Sequence, residues 1–383
     1  MRLSLGAKVF NSAVSDPGRI VFFAAYPHMY GGNERGLELL ANGLLARGWA
    51  VGVVVPSEGE VAERLRAAGI AVDVVEAPPT LRIYGGATTG RRAIQAAVAL
   101  PAYWARLRRR MQGADVVHTF AQRAFVLAGP AARLARVPLV WQVGGADPGR
   151  VVNEAAARTA HAVIAVSRAA ATDLPRAARV HIVPVAVDSA AFDPPPSQEA
   201  VGVHIVTAAR LTPEKGVDIL VRAAAILRER ISDLRVLVIG GAQDGHEAYR
   251  DELTRLTADL GVRSNVSFRG RVDQPFRHWG GARVYVQPSR REGFGLAAGE
   301  AMASGLPVVA TDVGGLAEVV DDAGVLVAPD DPQALADAVA ALLDDPERAA
   351  RLAAAGRERA AATYTLDRMV DGVEAVYRTL SRA

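Results

Sequence analysis

The sequence predicts an α/β protein built from two doubly wound domains, each with a parallel sheet between layers of helices. The first observation is an alternation along the whole chain. Short apolar runs rich in Val and Ile are followed by longer stretches in which apolar residues recur at helical spacing. The second is the length of 383 residues, which exceeds the usual size of one domain. The third is a proline run at Pro194–Pro196, which predicts a stiff linker after a finished series of such units.

The first domain is predicted for residues 1–190 and opens with a strand at Arg19–Ala25. The spacing of Leu37, Leu40 and Leu44 predicts the helix that follows it, from about residue 33 to 47. The same patterns predict further strands at 49–55, 70–75, 115–119, 138–142, 162–166 and 180–183. They predict further helices at 60–68, 91–111, 123–134 and 153–161, with a short one from residue 167.

The second domain is predicted for residues 191–364, and a last helix occupies 365–383. Its strands are predicted at 203–209, 234–239, 266–268, 283–287, 307–310 and 325–327. Its helices are predicted at 217–230, 246–260, 296–303 and 316–320, followed by two helices rich in alanine.

The most informative stretch runs from Ser289 to Thr311, SRREGFGLAAGEAMASGLPVVAT. It predicts a glycine-rich turn after a buried strand, then a helix from Leu296, then another strand. A helix N-terminus offers unpaired N–H groups and the positive end of the helix dipole, which suit a phosphate. Glu292 precedes this helix and Glu300 lies more than one turn inside it. The two carboxylates are therefore expected to reach different parts of one extended ligand.

The segment EGFGLAAGEAMASGLPVVAT resembles the signature of retaining GT-B glycosyltransferases of glycosyltransferase family 4. The resemblance implies two Rossmann-like domains facing a cleft, with the last helix returning to the first domain. It also implies that Glu292 contacts the transferred sugar and that Glu300 holds the ribose hydroxyls of the nucleotide. The loop residues Phe294, Gly295 and Leu296 would hold the distal phosphate through their amides.

Two sites in the first domain extend the resemblance. Gly31 and Gly32 stand between the first strand and its helix, without the G-x-G-x-x-G pattern of dinucleotide-binding proteins. They resemble the family's loop over the donor pyrophosphate. The segment DVVHTF places His118 at the predicted C-terminal edge of a strand, and resembles the motif whose histidine lies beside the transferred sugar. Thr119 is a weaker candidate there, and Phe120 replaces a second histidine that the family often carries.

In the second domain, RLTPEKG resembles the family's Arg-Leu-x-x-x-Lys-Gly segment. Arg210 and Lys215 are two cations at a strand-to-helix junction, where they can bind two phosphates. Gly270–Val272 corresponds to the family's base-binding edge. The predicted reaction is transfer of a sugar from a nucleotide diphosphate sugar to a hydroxyl acceptor. Charge on the leaving diphosphate would be neutralised by Arg210, Lys215 and the helix start at Leu296, without a metal or other cofactor.

Composition excludes several other classes of site and partner. The absence of cysteine excludes disulfides, thiolate catalysis and cysteine-ligated metals. No DxD-like metal motif occurs, and a net charge of +3 gives no sign of a nucleic-acid partner. No apolar run of 18 residues occurs, and the segment before Arg19, expected to be a short extension, lacks the apolar core of a signal peptide. We therefore expect a cytoplasmic protein.

Several alternatives stay open. The basic, aromatic stretch around Tyr103, Trp104 and Arg106–Arg110 has either a solvated face or a face that contacts the inner surface of a membrane. The acceptor is a small molecule, a glycan or a lipid-linked hydroxyl, and its contacts are expected in the loop Ala77–Gly90. The alternatives to a transferase are a non-catalytic nucleotide-sugar-binding relative and a sugar-nucleotide epimerase, which shares the two-domain architecture.

Overall fold

The computed structural model describes residues 18–29, 31–81, 91–145, 150–172, 174–175, 178–195, 197, 200–242 and 246–380. The expected N-terminal extension before Gly18 lies outside these residues, as does most of the loop predicted at 77–90. Its described part forms a 3₁₀ turn at Pro79–Leu81.

The first sheet has seven parallel strands in the order β3-β2-β1-β4-β5-β6-β7. Its strands are β1 Arg19–Phe23, β2 Ala50–Val55, β3 Ala71–Val74, β4 Val116–Phe120, β5 Leu139–Val143, β6 Ala162–Ala165 and β7 Val180–Ile182. Its helices are α1 Gly32–Ala46, α2 Glu60–Ala67, α3 Arg91–Met111, α4 Ala121–Ala135, α5 Arg150–Thr159 and α6 Arg168–Ala171. We call this part, together with the segment up to residue 195, the first half.

The second sheet has six parallel strands in the order β10-β9-β8-β11-β12-β13. Its strands are β8 Ile205–Ala208, β9 Val236–Ile239, β10 Val266–Gly270, β11 Val284–Gln287, β12 Val308–Thr311 and β13 Val325–Val327. Its helices are α7 Val217–Arg228, α8 Glu247–Asp259, α9 Leu296–Ala303, α10 Gly314–Val320, α11 Pro332–Asp344 and α12 Pro346–Thr363. This part is the second half. Two doubly wound parallel sheets are therefore present, as the fold-class prediction states, whereas the division at residue 190 stays a prediction.

The last helix, α13 (Leu366–Leu380), packs on α1 of the first half. A side chain on Gly43 would meet Val370 at 2.6 Å, so the two helices approach closely there. Glu374 is buried and accepts a hydrogen bond from the indole of Trp49 at 2.8 Å. The chain therefore crosses from the second half back to the first before it ends.

Each sheet reverses its strand order at one point, between β1 and β4 in the first half and between β8 and β11 in the second. Ligands of doubly wound folds bind at the carboxyl ends of the strands flanking such a point. The loops that follow β1, β8 and β11 all line one cavity between the halves. The fold thus brings both switch points to the same cleft.

Candidate active site in the cleft

The cleft contains a cavity of about 640 Å³, lined by both halves. This volume lies within the usual range for sites that hold small-molecule ligands. The first half contributes the start of α1, including Gly31 and Gly32. The second half contributes the predicted residues that follow β8 and β11, which are Arg210, Lys215, Glu292, Phe294, Gly295, Leu296 and Glu300.

The turn before α9 is fixed by backbone contacts. Gly295 has a φ of 94°, a conformation that favours glycine. The carbonyl of Glu292 accepts a hydrogen bond from Gly315 N–H at 3.0 Å. The carbonyl of Gly293 accepts one from the Ser167 hydroxyl of the first half at 2.7 Å. The start of α9, at Leu296, is therefore held against the cavity by groups from both halves.

A second helix start, that of α1, lies beside the first one at the cavity. Side chains placed on Gly32 and Gly31 would come within 3.8 Å of Leu296 and 3.9 Å of Arg210, respectively. The α1 start therefore lies against the α9 start and beside a cation. Because both helices present their positive ends, the space between them is suited to an anion.

Lys215 and Glu292 form an ion pair, with 2.7 Å between Nζ and Oε2. Each side chain is only about one-seventh exposed, at 13% and 14%. The sequence analysis assigned them to different parts of a ligand and did not anticipate their contact. The pairing follows from the loops, because the amides of Arg290 and Arg291 both donate to the carbonyl of Glu214 beside Lys215.

Glu300 lies at the other side of α9 and is 6% exposed. Burial raises its pKa to about 8, against lowering by the nearby Arg35 guanidinium and further raising by Asp188. Within the described part of the chain its carboxylate accepts no hydrogen bond, although it lines the cavity. A buried carboxyl group of this kind is suited to bind hydroxyl groups of a ligand.

Glu34 also lines the cavity and was not singled out from the sequence. It is the third residue of α1, and its carboxylate accepts a hydrogen bond from Gly31 N–H at 3.1 Å. Burial raises its pKa to about 7, against lowering by the Gly31 N–H and Arg210. The signal in the sequence was its spacing, since an acidic residue three positions after the N-cap residue, here Gly31, is typical of a capping box.

Comparison with known proteins shows which family has this architecture. The sequence model of the family Glycosyltransferase Family 4 matches residues 30–191. The sequence model of the family Glycosyl transferases group 1 matches residues 201–359. D-inositol 3-phosphate glycosyltransferase 1 from Catenulispora acidiphila is 35% identical over 306 residues, 69% of this chain and 72% of that protein. The chain belongs to glycosyltransferase family 4.

Another relative of this glycosyltransferase is the lipopolysaccharide core mannosyltransferase LpsB from Rhizobium meliloti. It is 33% identical over 240 residues, 59% of this chain and 67% of that protein. Among solved structures, Alr3699/HepE from Anabaena in complex with UDP and glucose superposes with a TM-score of 0.82 and 24% identity. The match covers 96% of this chain and all of that one, and it shows that the fold is GT-B.

The prediction that His118 stands at the C-terminal edge of its strand is wrong. Strand β4 continues to Phe120, so His118 is its middle residue and is fully buried. Its ring stacks on Phe120 at 4.8 Å, and its Nδ1 lies 2.6 Å from the hydroxyl of Tyr377 in α13. Burial lowers the pKa of the imidazole to about 3, against a raising contribution from Gln142. His118 therefore joins the core of this glycosyltransferase and not its cavity lining.

Thr119 is likewise fully buried, and its hydroxyl donates to the carbonyl of Val140 on β5 at 3.3 Å. Ala121, the residue that follows β4, lines the cavity and has a φ of 59°. Alternation along β4 points His118 and Thr119 into opposite apolar layers. Neither is among the residues that the structure brings together at the cleft.

Two further observations concern metal and membrane. Among the described residues, no group of three or more His, Cys, Asp or Glu is arranged to hold a metal ion. None of the helices in the described part of the chain is long and apolar enough to cross a membrane.

Proposed function

We propose that this glycosyltransferase takes its sugar from a nucleoside diphosphate sugar and transfers it to a hydroxyl group, with retention at the anomeric carbon and without a metal ion. One observation carries the proposal. The starts of α1 and α9 converge with Arg210 and Lys215 on a single cavity of about 640 Å³. This concentration of positive charge is what a leaving diphosphate requires.

The positive charges at the cavity are of the kind that neutralises a leaving diphosphate. Each helix start carries about half a positive charge, and the two cations add a full charge each. Arg210 can bind a phosphate with two parallel hydrogen bonds, and Lys215 can act as a point charge after exchanging Glu292 for a phosphate oxygen. Glu292, once released, is positioned to bind hydroxyl groups of the transferred sugar.

The nucleoside end of the donor is proposed to lie at Glu300. Its buried carboxyl group faces the cavity about one helical turn beyond the phosphate-binding start of α9. A pair of ribose hydroxyls would supply the hydrogen bonds that the carboxyl group lacks from described residues. The presence of UDP in the HepE crystal structure supports a nucleotide donor here.

Retention is what the family motif implies, and the cleft is compatible with it. On the donor face the departing phosphate oxygen can itself accept the proton of the acceptor hydroxyl. The named relatives act on inositol 3-phosphate and on lipopolysaccharide core, so small molecules and glycans both stay candidates for the acceptor class. A lipid-linked acceptor is the third candidate.

A lipid-linked acceptor would need contact with a membrane surface, which we propose for the outer face of α3. Ile94 and Val98 are 67% and 75% exposed on that face, and Arg108–Arg110 are exposed beyond them. Of the two aromatic residues that the sequence analysis grouped with this surface, Tyr103 is fully buried and Trp104 is half-buried. Sedimentation with anionic and neutral vesicles tests this part, and we expect Val98→Asp to reduce binding to anionic vesicles.

The enzymatic proposal is tested with UDP-, GDP- and ADP-sugars in a thermal-shift screen, followed by product analysis by NMR. A donor at a hundred times its dissociation constant stabilises the folded protein by about 2.7 kcal/mol. We expect one nucleotide class to do so, a product with the donor's anomeric configuration, and full activity in EDTA. A product of inverted configuration would refute retention. Activity that is lost in EDTA and restored by magnesium would refute metal independence. Epimerised sugar formed without acceptor would favour the epimerase alternative.

A further inference from the structure

The segment that follows β10, Arg271–Gln274, lines the cavity together with Glu300. Strand β10 lies two places from β8, which leads into Arg210 and Lys215. Neighbouring strands are about 4.8 Å apart, so this segment lies about 10 Å from the proposed phosphate site. A ribose and a base attached to the diphosphate span a distance of this order. Under the proposed function, the segment therefore faces the nucleoside.

Three residues of this segment are held by the first half. Arg271 is paired with Glu60 on α2, and Asp273 is paired with Arg64 one turn further along the same helix. The side-chain amide of Gln274 donates to Asp188 at 2.9 Å. We call these contacts the cross-cleft brace, whose members are Glu60, Arg64, Asp188, Arg271, Asp273 and Gln274.

Arg64 is held by a second acid, Glu38, in addition to Asp273. Its Nε lies 2.9 and 2.8 Å from the two carboxylate oxygens of Glu38, which is 8% exposed. Glu38 is in turn paired with Arg35 at 2.6 Å, and Arg35 with Asp188. A guanidinium that is 21% exposed and bonded through Nε to both oxygens of a carboxylate has its remaining N–H groups oriented by that contact. That direction leads to Asp273.

We propose that Arg64 is a positioning residue for the nucleoside end of the donor, acting through Asp273 from the opposite half of the cleft. Neither Arg64 nor Glu60 is among the described residues that line the cavity, so neither touches the donor. The segment takes its place only when the two halves are apposed. Recognition of the nucleoside and closure of the cleft are thereby linked through one helix, α2.

The test compares two arginines of α2 by calorimetric titration. Arg64→Ala removes the link to Asp273, whereas Arg66→Ala removes a pair with Glu58 at 2.8 Å that lies within the first half. The probes are UDP, GDP and ADP, together with inorganic pyrophosphate, which has no nucleoside. Thermal melts verify that each variant folds. If Arg64→Ala does not fold, Arg64→Lys takes its place in the comparison.

We expect Arg64→Ala to weaken the bound nucleoside diphosphate about fivefold, since an exposed ion pair contributes up to about 1 kcal/mol. The pyrophosphate affinity of Arg64→Ala should be unchanged. Arg66→Ala should bind the nucleoside diphosphate as the wild type does, and the affinity of Arg64→Lys should lie between those of Arg64→Ala and the wild type. The difference should shrink as NaCl rises from about 50 to about 500 mM, because salt screens exposed pairs. The inference would be overturned, and the proposed function left intact, by any of three results. These are equal losses of nucleoside diphosphate affinity in Arg64→Ala and Arg66→Ala, an equal loss of pyrophosphate affinity in Arg64→Ala, or no loss of affinity in Arg64→Ala. A wild type that binds none of the three nucleotides would overturn the proposed function, and this inference with it.

Discussion

The two walls of the cleft are built in different ways. The second-half wall includes two loops, residues 210–216 and 288–295, the start of α9 and the segment 271–276, and it carries the charged groups of the cavity that were predicted from sequence. The first-half wall combines glycines, such as Gly31, Gly32 and Gly144, with larger side chains, among them Glu34, and its predicted histidine lies in the core. The second-half wall therefore supplies the charged groups predicted from sequence, while the first-half wall supplies a close-fitting surface, a second helix start and the carboxyl group of Glu34.

The contact between the walls should be the most sensitive to change. A side chain on Gly293 would lie 1.7 Å from the carbonyl oxygen of Gly144 and 2.7 Å from the Cα of Gly145. Because backbone cannot yield as a flexible side chain does, Gly293→Ala should separate the walls and lower transfer on the order of a hundredfold or more. Steady-state kinetics measure this, and Gly52→Ala, with nothing within 4 Å, is the control. Normal turnover in Gly293→Ala would show that the walls need not touch.

Removing a cation from the second-half wall should have the next largest effect. Lys215→Ala deletes a charged partner of the proposed diphosphate and leaves the carboxylate of Glu292 unpaired beside it. Charge-assisted hydrogen bonds contribute roughly 1.5–3 kcal/mol, so donor affinity and turnover should fall tenfold to a hundredfold. Kinetics with the donor and calorimetry with its diphosphate provide the measurement. Unaltered affinity would mean that the anion lies elsewhere in the cleft.

The corresponding change in the first half should affect stability and not binding. His118→Ala removes a buried ring and one contact of the Tyr377 hydroxyl, at a cost of about 2 kcal/mol of unfolding free energy. Nucleoside diphosphate affinity should stay within about twofold of the wild type. Val140→Ala, at the paired buried position of β5, is the matched control for denaturation and binding. A loss of nucleoside diphosphate affinity in His118→Ala that Val140→Ala does not show would mean that His118 contributes to the binding site.

A smaller effect concerns the pH dependence of stability. The pKa of Glu300 is about 8 in the folded protein, against an ordinary value of 4.5. Between these values the folded state retains a proton that the unfolded state has lost, so stability falls as pH rises. Glu300→Gln should remove a slope of about 1 kcal/mol per pH unit from this window. Urea denaturation between pH 5 and 8 measures it, and parallel curves for variant and wild type would contradict the pKa shift.

The walls also differ in how far the sequence could predict them. The strand-turn-helix order around Glu292 and Glu300 is local, because glycines, helix formers and prolines specify it within one segment. The position of His118 depends on where β4 ends, and one added residue moved the histidine from the strand's edge to its interior. The pairing of Lys215 with Glu292, and of Arg64 with Asp273, depends on how distant loops and halves meet. Charge and spacing within a segment do not determine such contacts.

The central claim is that the second-half wall binds the donor with its nucleoside at Glu300 and its sugar at Glu292. Calorimetric titration of Glu300→Ala and Glu292→Ala with the nucleoside diphosphate tests it most directly. Glu300→Ala should bind on the order of tenfold more weakly, having lost hydrogen bonds to ribose. Glu292→Ala should bind as well as the wild type or better, because Lys215 is released from its 2.7 Å ion pair, and its defect should appear in turnover. If Glu292→Ala loses as much diphosphate affinity as Glu300→Ala, this division of the wall is wrong.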